Sequence, residues 1–176
     1  MGTRKVIYFI KAILIYLAFI CLLVGMNFLI NISDILNNFN LGGIGGIVFL
    51  TLYLFILSVN ISFLIRKKTI KDYKLVLLIN SIFSILSGIG LRLSDFLVVN
   101  NLGLDLSIVY LKADNKSTFF FHYDVFNFVV KFQYAHTGQH VFGGQINLFM
   151  WAIGIFLFIC YKQIPKWLNN PNPQSV

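Results

Sequence analysis

Apolar residues in this chain fall into long blocks that are separated by short polar segments. A helix that crosses a bilayer needs about 20 mostly apolar residues. Four blocks satisfy this requirement, at residues about 6–30, 45–65, 75–93 and 142–161. The pattern therefore predicts an all-α integral membrane protein, a single membrane domain over residues 1–176 with four transmembrane helices.

The connections between these blocks differ in character. Residues 31–44 and 94–141 are predicted as outer loops, and residues 66–74 as a short basic loop. Within the longer outer loop, "LSIVYLKA" and "STFFFHYD" are rich in β-branched and aromatic residues and flank the turn-forming Asp114 and Asn115. We expect a small β-hairpin-like element there, between helices three and four. Its exposed aromatic residues form an interfacial patch or a docking surface, because a large apolar patch normally has a protein or lipid partner.

The distribution of charge orients the predicted helices. Of the 14 Lys and Arg residues, ten lie at the N-terminus, in the loop 66–74 or at the C-terminus, whereas the outer loop holds Lys112, Lys116 and Lys131. The positive-inside rule places both termini and the basic loop in the cytoplasm, in an inner, plasma or organellar membrane. The basic residues end apolar blocks rather than line a groove, so the charge of +8 does not indicate nucleic acid.

Two predicted helices carry small polar residues along one side. On a helical wheel, the polar side of the third block lies opposite its bulky aliphatic side. Small and hydroxyl-bearing residues let membrane helices approach closely and form hydrogen bonds. We expect blocks two and three to pack through two stripes: Thr51, Ser58 and Ser62 in block two, and Asn80, Ser84, Ser87 and Gly88 in block three.

Arg92 and Asp95 lie near the outer end of the third predicted helix. A spacing of three residues allows them to pair on a helix. The arginine can reach the headgroups from there, which favours an interfacial pair. An alternative is a contact for an ion, a proton or a substrate, in a small transporter or channel subunit.

Metal and cofactor chemistry finds little support in the sequence. His136 and His140 have the HxxxH spacing, but Gly138 lies between them and no glutamate exists to act as a metalloprotease base. They are interpreted as solvated loop residues, with a metal site as the alternative. Cys21 and Cys160 both fall in apolar blocks. No cofactor is predicted.

Asp95, Asp105 and Asp124 all belong to the predicted outer side. Two neighbouring carboxylates can share a proton and activate water. With "NLGGIGG" at 40–46 and "VFN" at 125–127, the layout resembles that of lipoprotein signal peptidases. These are small four-span enzymes with cytoplasmic termini and two catalytic aspartates at the outer surface. The resemblance implies an aspartate-based membrane hydrolase, although Val130 occupies the place of the family's second aspartate.

Taken together, the residues favour a non-enzymatic membrane protein. Its work would be association with another membrane component, as an accessory subunit of a complex or as an immunity protein. The expected partners are the lipid bilayer and a membrane protein or a second copy, and not nucleic acid. The aspartate-based hydrolase and the small transporter or channel subunit are the alternatives.

Overall fold

A computed structural model of the protein describes residues 3–30, 41–66, 69–94, 96–113, 116–134 and 141–169. The described part contains four helices and four strands. The helices are α1 (Thr3–Ile30), α2 (Leu41–Ile65), α3 (Ile70–Ser87) and α4 (Leu148–Asn169). The strands are β1 (Ile89–Leu93), β2 (Phe96–Ala113), β3 (Lys116–Tyr134) and β4 (Val141–Asn147).

Three of the described helices are long and apolar enough to cross a membrane: Lys5–Ile30, Ile44–Ile65 and Leu148–Leu168. This finding is compatible with a membrane protein. The third helix, α3, has only 18 residues and begins with charged side chains. Its start is fixed by a capping box, in which Asp72 accepts hydrogen bonds from the Thr69 backbone N–H and hydroxyl, both at 2.7 Å.

The helices pack around a buried apolar core. Edge-to-face aromatic pairs join α1 to α4 through Phe9 and Phe156, and α2 to α3 through Tyr53 and Phe83. Helices α3 and α4 approach each other closely at Gly154, where an added Cβ would lie 2.6 Å from the Ile85 side chain and 3.0 Å from the Ser81 carbonyl oxygen. The absence of a side chain at this position therefore allows the close packing of the two helices.

The all-α prediction is wrong, because the described chain is a mixed α/β structure. The predicted third helix, residues 75–93, stops at Ser87, where Gly88 caps α3, and residues 89–93 form β1. Beyond Gly88, apolar Leu91 and Leu93 alternate with polar Arg92 and Ser94, which is the period of a strand. The predicted fourth helix likewise begins at Leu148 rather than 142, because residues 141–147 form β4.

The small hairpin expected in the outer loop is instead a pair of strands of 18 and 19 residues within a larger antiparallel sheet. Strand β4 pairs with β1 on one side and with the second half of β2 on the other. Strand β1 also pairs with the beginning of β2, with Leu91 opposite Val98. The three strands therefore close into a curl, and β3 extends it by pairing with β2.

The two faces of this sheet have opposite chemistry, since successive side chains point to opposite sides. One side, here called the inner face, carries buried residues such as Asp105, Ser107 and Val109. The other side, the outer face, is apolar and exposed, and it spans all four strands. Its exposed members are Leu91, Leu93, Leu106, Ile108, Phe119, Phe121, Tyr123, Phe142 and Ile146, and the half-buried Tyr110 lies among them.

Candidate functional site

A group of polar side chains lies on the inner face of the sheet, close to the helices. Asp105 is fully buried at its centre and accepts a hydrogen bond from the Ser107 hydroxyl. The Gln145 amide donates to the Asp105 carboxylate at 3.3 Å and to the Ser107 oxygen at 2.9 Å. His122 Nε2 lies 3.6 Å from the same carboxylate oxygen that Gln145 contacts.

Strand register explains how these distant residues meet. Asp105 and Ser107 are two apart on β2, so both point to the inner face. Across the β2–β3 ladder, Asp105 faces Asp124 and Ser107 faces His122. A register shift between Gly103 and Asp105 bends the ladder here, and Gly103 adopts a positive φ of 67°. A Cβ at Gly103 would collide with the Tyr16 hydroxyl group of α1.

Polar side chains surround the buried carboxyl group of Asp105. Burying a charged group costs free energy unless partners compensate it. Here a hydroxyl, an amide and an imidazole surround the two oxygens, and the His122 side chain keeps 40% of its surface exposed. These contacts can therefore hold β2, β3 and β4 together, with the half-buried His122 and Asp124 at the edge of the polar group.

Asn147 joins the polar group to the helix bundle. Its backbone N–H donates to the Gly88 carbonyl at 2.7 Å, and its side-chain oxygen accepts from the N–H groups of Phe149 and Met150 at 3.0 and 3.1 Å. This is an N-cap for α4. The side-chain amide also donates to the Leu104 carbonyl at 3.3 Å, while the Leu104 N–H donates to the Tyr16 hydroxyl, also at 3.3 Å.

A cavity of about 210 Å³ lies against the sheet next to this polar group. Arg92 and Gln145 line it together with small and aliphatic residues of all three curled strands. Gly90 and Gly143 keep the neighbouring backbones close, since a Cβ at Gly143 would lie 2.7 Å from the Tyr110 carbonyl oxygen. The cavity is mostly apolar, with one cationic and one amide group.

The structure places the predicted site residues as follows. Asp105 and Asp124 come together across two strands. Arg92 lies in β1, so its predicted position on a helix is wrong, while the expected pair of Arg92 with Asp95 stays a prediction. Asp95, His136 and His140 lie outside the described residues. Among the residues that are described, no group of three or more His, Cys, Asp or Glu side chains is placed to hold a metal ion.

The residues predicted for helix packing occupy several environments. Asn80 is buried against Asn60 of α2, and Ser84 and Ser87 are buried with it along α3. Gly88 lies against Trp151 of α4. Thr51 is exposed and bonds its own helix at the Ile47 carbonyl, at 2.9 Å. Ser58 and Ser62 line an open groove between α2 and α3.

Sequence reasoning missed four members of this region: Tyr16, Ser107, Gln145 and Asn147. Asn147 could have been predicted, because an Asn directly before an apolar run is typical of a helix N-cap. The other three depend on strand register and on contacts between distant segments, which local patterns do not specify.

Comparisons with known proteins add no relative to this picture. No protein-family model, no curated protein and no solved structure matches the chain.

Proposed function

We propose that the protein is a multi-pass membrane protein that acts by association with another membrane component, which it contacts through the sheet. Both termini and the 66–74 segment lie on the cytoplasmic side in this proposal, in accordance with the basic residues there. Three helices with the length and composition of membrane spans support the membrane setting.

The length of the bundle sets the depth of the sheet. Lys74 and Ser87 are about 20 Å apart along α3, at about 1.5 Å per residue. A bilayer's hydrocarbon core is about 30 Å thick. With Lys74 at the inner boundary, the start of the sheet lies about 10 Å below the outer boundary.

The residues of the outer face change in character with their depth in the bilayer. Ile108 and Ile146 pair next to the helices, and Tyr110 and Phe119 pair further along. Tyr110 is about 10 Å from Ser107 along the strand, which brings it to the level of the outer headgroups, where aromatic residues are enriched. Lys112 follows two residues later, at the height of the polar headgroups. The component that contacts this face therefore lies in the membrane.

The observation that carries the proposal is the edge of β3. Strand β3 pairs with β2 on one side, and no other strand in the described part of the chain pairs with its other side. The exposed side chains along it include Phe119 and Phe121, at 72% and 76% exposure. Unpaired backbone groups are costly in hydrocarbon, and an open strand edge is a template for another strand. A strand from a partner, or from a second copy, satisfies those groups.

Aspartate-based hydrolysis is the second candidate, favoured by Asp105 and Asp124 lying opposite each other with His122 nearby. Two features weaken it. Asp105 is fully buried, and both of its oxygens have side-chain partners. A carboxylate that activates water needs access to that water, which Asp105 lacks in this arrangement.

Site-specific photo-crosslinking in native membranes tests the association. A photoreactive phenylalanine analogue at Phe121 is expected to give a discrete protein adduct. The matched control is Ile159, which is 53% exposed on α4 and lies eleven residues beyond the start of that helix at Leu148. We expect lipid adducts alone at that position. Lipid adducts alone at both positions, with a monomer on native gels, would contradict the proposal.

A further inference from the structure

A long groove runs between α2 and α3 on the exposed side of the bundle. Two cavities follow one another along it, of about 270 Å³ and about 220 Å³. The first opens near Arg66 and the second ends near Phe49, a separation of about 26 Å along α2 at about 1.5 Å per residue. The groove therefore extends over most of a hydrocarbon core about 30 Å thick.

The polar contact between α2 and α3 is buried and does not line the groove. Asn60 and Asn80 bond each other inside the bundle. The groove has a floor of buried side chains, such as Tyr53 and Phe83, and walls that are exposed. Leu52 and Phe55 of α2 and Ile82 and Leu86 of α3 are exposed apolar residues along its walls. Such a surface is suited to an apolar chain in a membrane.

The chemistry of the groove changes from one end to the other. The end near the 66–69 connection carries the Arg66 guanidinium and the hydroxyls of Ser58 and Ser62. The remaining length is lined by Leu, Ile, Phe and Tyr side chains, with Ser87 at the far end. A ligand that fits has an anionic, hydrogen-bonding head and a long apolar tail.

The charges at the polar end favour an anion. No described carboxylate lies within 4 Å of Arg66. Asp72 also lines the cavity, but its carboxylate is engaged by the backbone N–H and hydroxyl of Thr69. The Lys74 ammonium lies over the Tyr161 ring of α4, at 5.2 Å, and does not line the cavity. Over residues 66–74 the sequence nevertheless holds five basic residues and one acid, so positive charge is in excess around this end.

We propose that this groove binds one anionic phospholipid from the cytoplasmic leaflet. The phosphate lies at Arg66, within reach of the Ser62 hydroxyl, and one acyl chain runs along Phe55, Ile79 and Ile82. Anionic lipids are concentrated in that leaflet, where each nearby Lys or Arg contributes about 1 kcal/mol. The proposal requires the chain to lie in a bilayer, but it does not depend on the association at β3, which lies at the other end of the bundle.

Native mass spectrometry of the full chain tests this site. The protein is released from nanodiscs that contain equal amounts of phosphatidylglycerol and phosphatidylcholine with identical acyl chains. We expect one retained phosphatidylglycerol per protein. In R66Q this retention falls about fivefold, which corresponds to about 1 kcal/mol. The matched control is K11Q, which removes a basic residue of α1 outside the groove and leaves retention unchanged.

A variant that fills the groove distinguishes lipid binding in the groove from general electrostatic attraction of lipids to the protein. I82W is expected to lower the retention of both lipids, while I155W, at an exposed position of α4, does not. Equal retention of the two lipids by the wild type, or equal losses in R66Q and K11Q, would overturn the proposal. A protein adduct from a photoreactive residue at Phe55 would overturn it as well, since a partner helix would then occupy the groove.

Discussion

Asn60 and Asn80 exchange two amide hydrogen bonds, at 2.9 and 2.7 Å, in the interior of the helix bundle. Both residues are fully buried, and the Asn80 amide also donates to the Val76 carbonyl at 2.9 Å. The pair satisfies polar groups that would otherwise be unpaired, and it aligns α2 with α3. A buried amide pair of this kind fixes the register of two helices as well as contributing to their stability.

Replacing one member of this pair tests its contribution. Asn80→Leu leaves the Asn60 amide buried without its partner, so we expect the free energy of unfolding to fall by about 1–2 kcal/mol. The double variant Asn60→Leu, Asn80→Leu is expected to recover part of the loss, because no buried amide then remains unpaired. Denaturant titration of the purified protein in detergent measures both. Additive losses in the double variant would show that the two amides are not coupled.

A second prediction concerns the contact between α3 and α4. Gly154→Ala is expected to destabilise the protein by about 1–3 kcal/mol, because the new methyl group meets Ile85 and the Ser81 carbonyl. The matched control is Gly25→Ala in α1, where the added Cβ finds only an ordinary contact with Leu54 at 3.6 Å. Alanine is the better helix former, so the control should be neutral or stabilising. Thermal unfolding measured in detergent compares the two, and equal melting temperatures would contradict the prediction.

The polar group at the base of the sheet gives a third prediction. Asp105→Ala removes the shared partner of Ser107, Gln145 and His122, and we expect a loss of about 1–3 kcal/mol. Asp124→Ala, at the opposing position of β3, serves as the control. Asp124 is only partly buried, so its replacement is expected to change stability by about 0.5 kcal/mol or less. Thermal unfolding separates the two, and equal losses would assign no special role to Asp105.

A fourth prediction concerns the effect of acid on the capping box at the start of α3. Hydrogen bonds from the Thr69 backbone and hydroxyl, with a smaller contribution from Arg66, hold the pKa of Asp72 below its ordinary value of 3.8. The capping contribution is therefore present above pH 3.8 and is lost as the pH falls through the lowered pKa. Thr69→Ala should return the pKa of Asp72 toward 3.8, which carboxyl NMR titration measures. The backbone N–H of residue 69 remains in this variant, so an unchanged titration would show that the Thr69 hydroxyl does not contribute.

A fifth prediction tests orientation by cysteine labelling. Cys21 and Cys160 are buried, so the folded parent protein should react little with a membrane-impermeant maleimide. In sealed spheroplasts, where only the outer surface is accessible, Lys112→Cys is expected to react. Lys71→Cys should react only after the membrane is opened. The reverse pattern would invert the proposed topology.

Long apolar helices were predictable from composition, because the requirement for about 20 apolar residues is a local property. Three of the four predicted blocks contain helices that meet it. The ends of the predicted helices were not predictable, since apolar content alone does not distinguish a helix from a strand that has an apolar side. The block at 75–93 contains both, and the change falls at Gly88.

The candidate site was also predictable only in part. Asp105 and Asp124 attracted attention as outer carboxylates, and the structure brings them together. Their surroundings were not accessible from local patterns. Gln145 lies 40 residues from Asp105, and Tyr16 lies 88 residues from Leu104. Only the pairing of β4 with β2, and the position of α1 below the bulge, create these contacts.

The direct passage from β4 into α4 at Asn147 has a mechanical consequence. The strand ends and the helix begins at consecutive residues, with Asn147 bonded to both Gly88 and the first turn of α4. No linker lies between the two elements, so we expect a tilt of β4 to move α4 with it. A displacement of the far end of β4 is thereby passed to the first turn of α4.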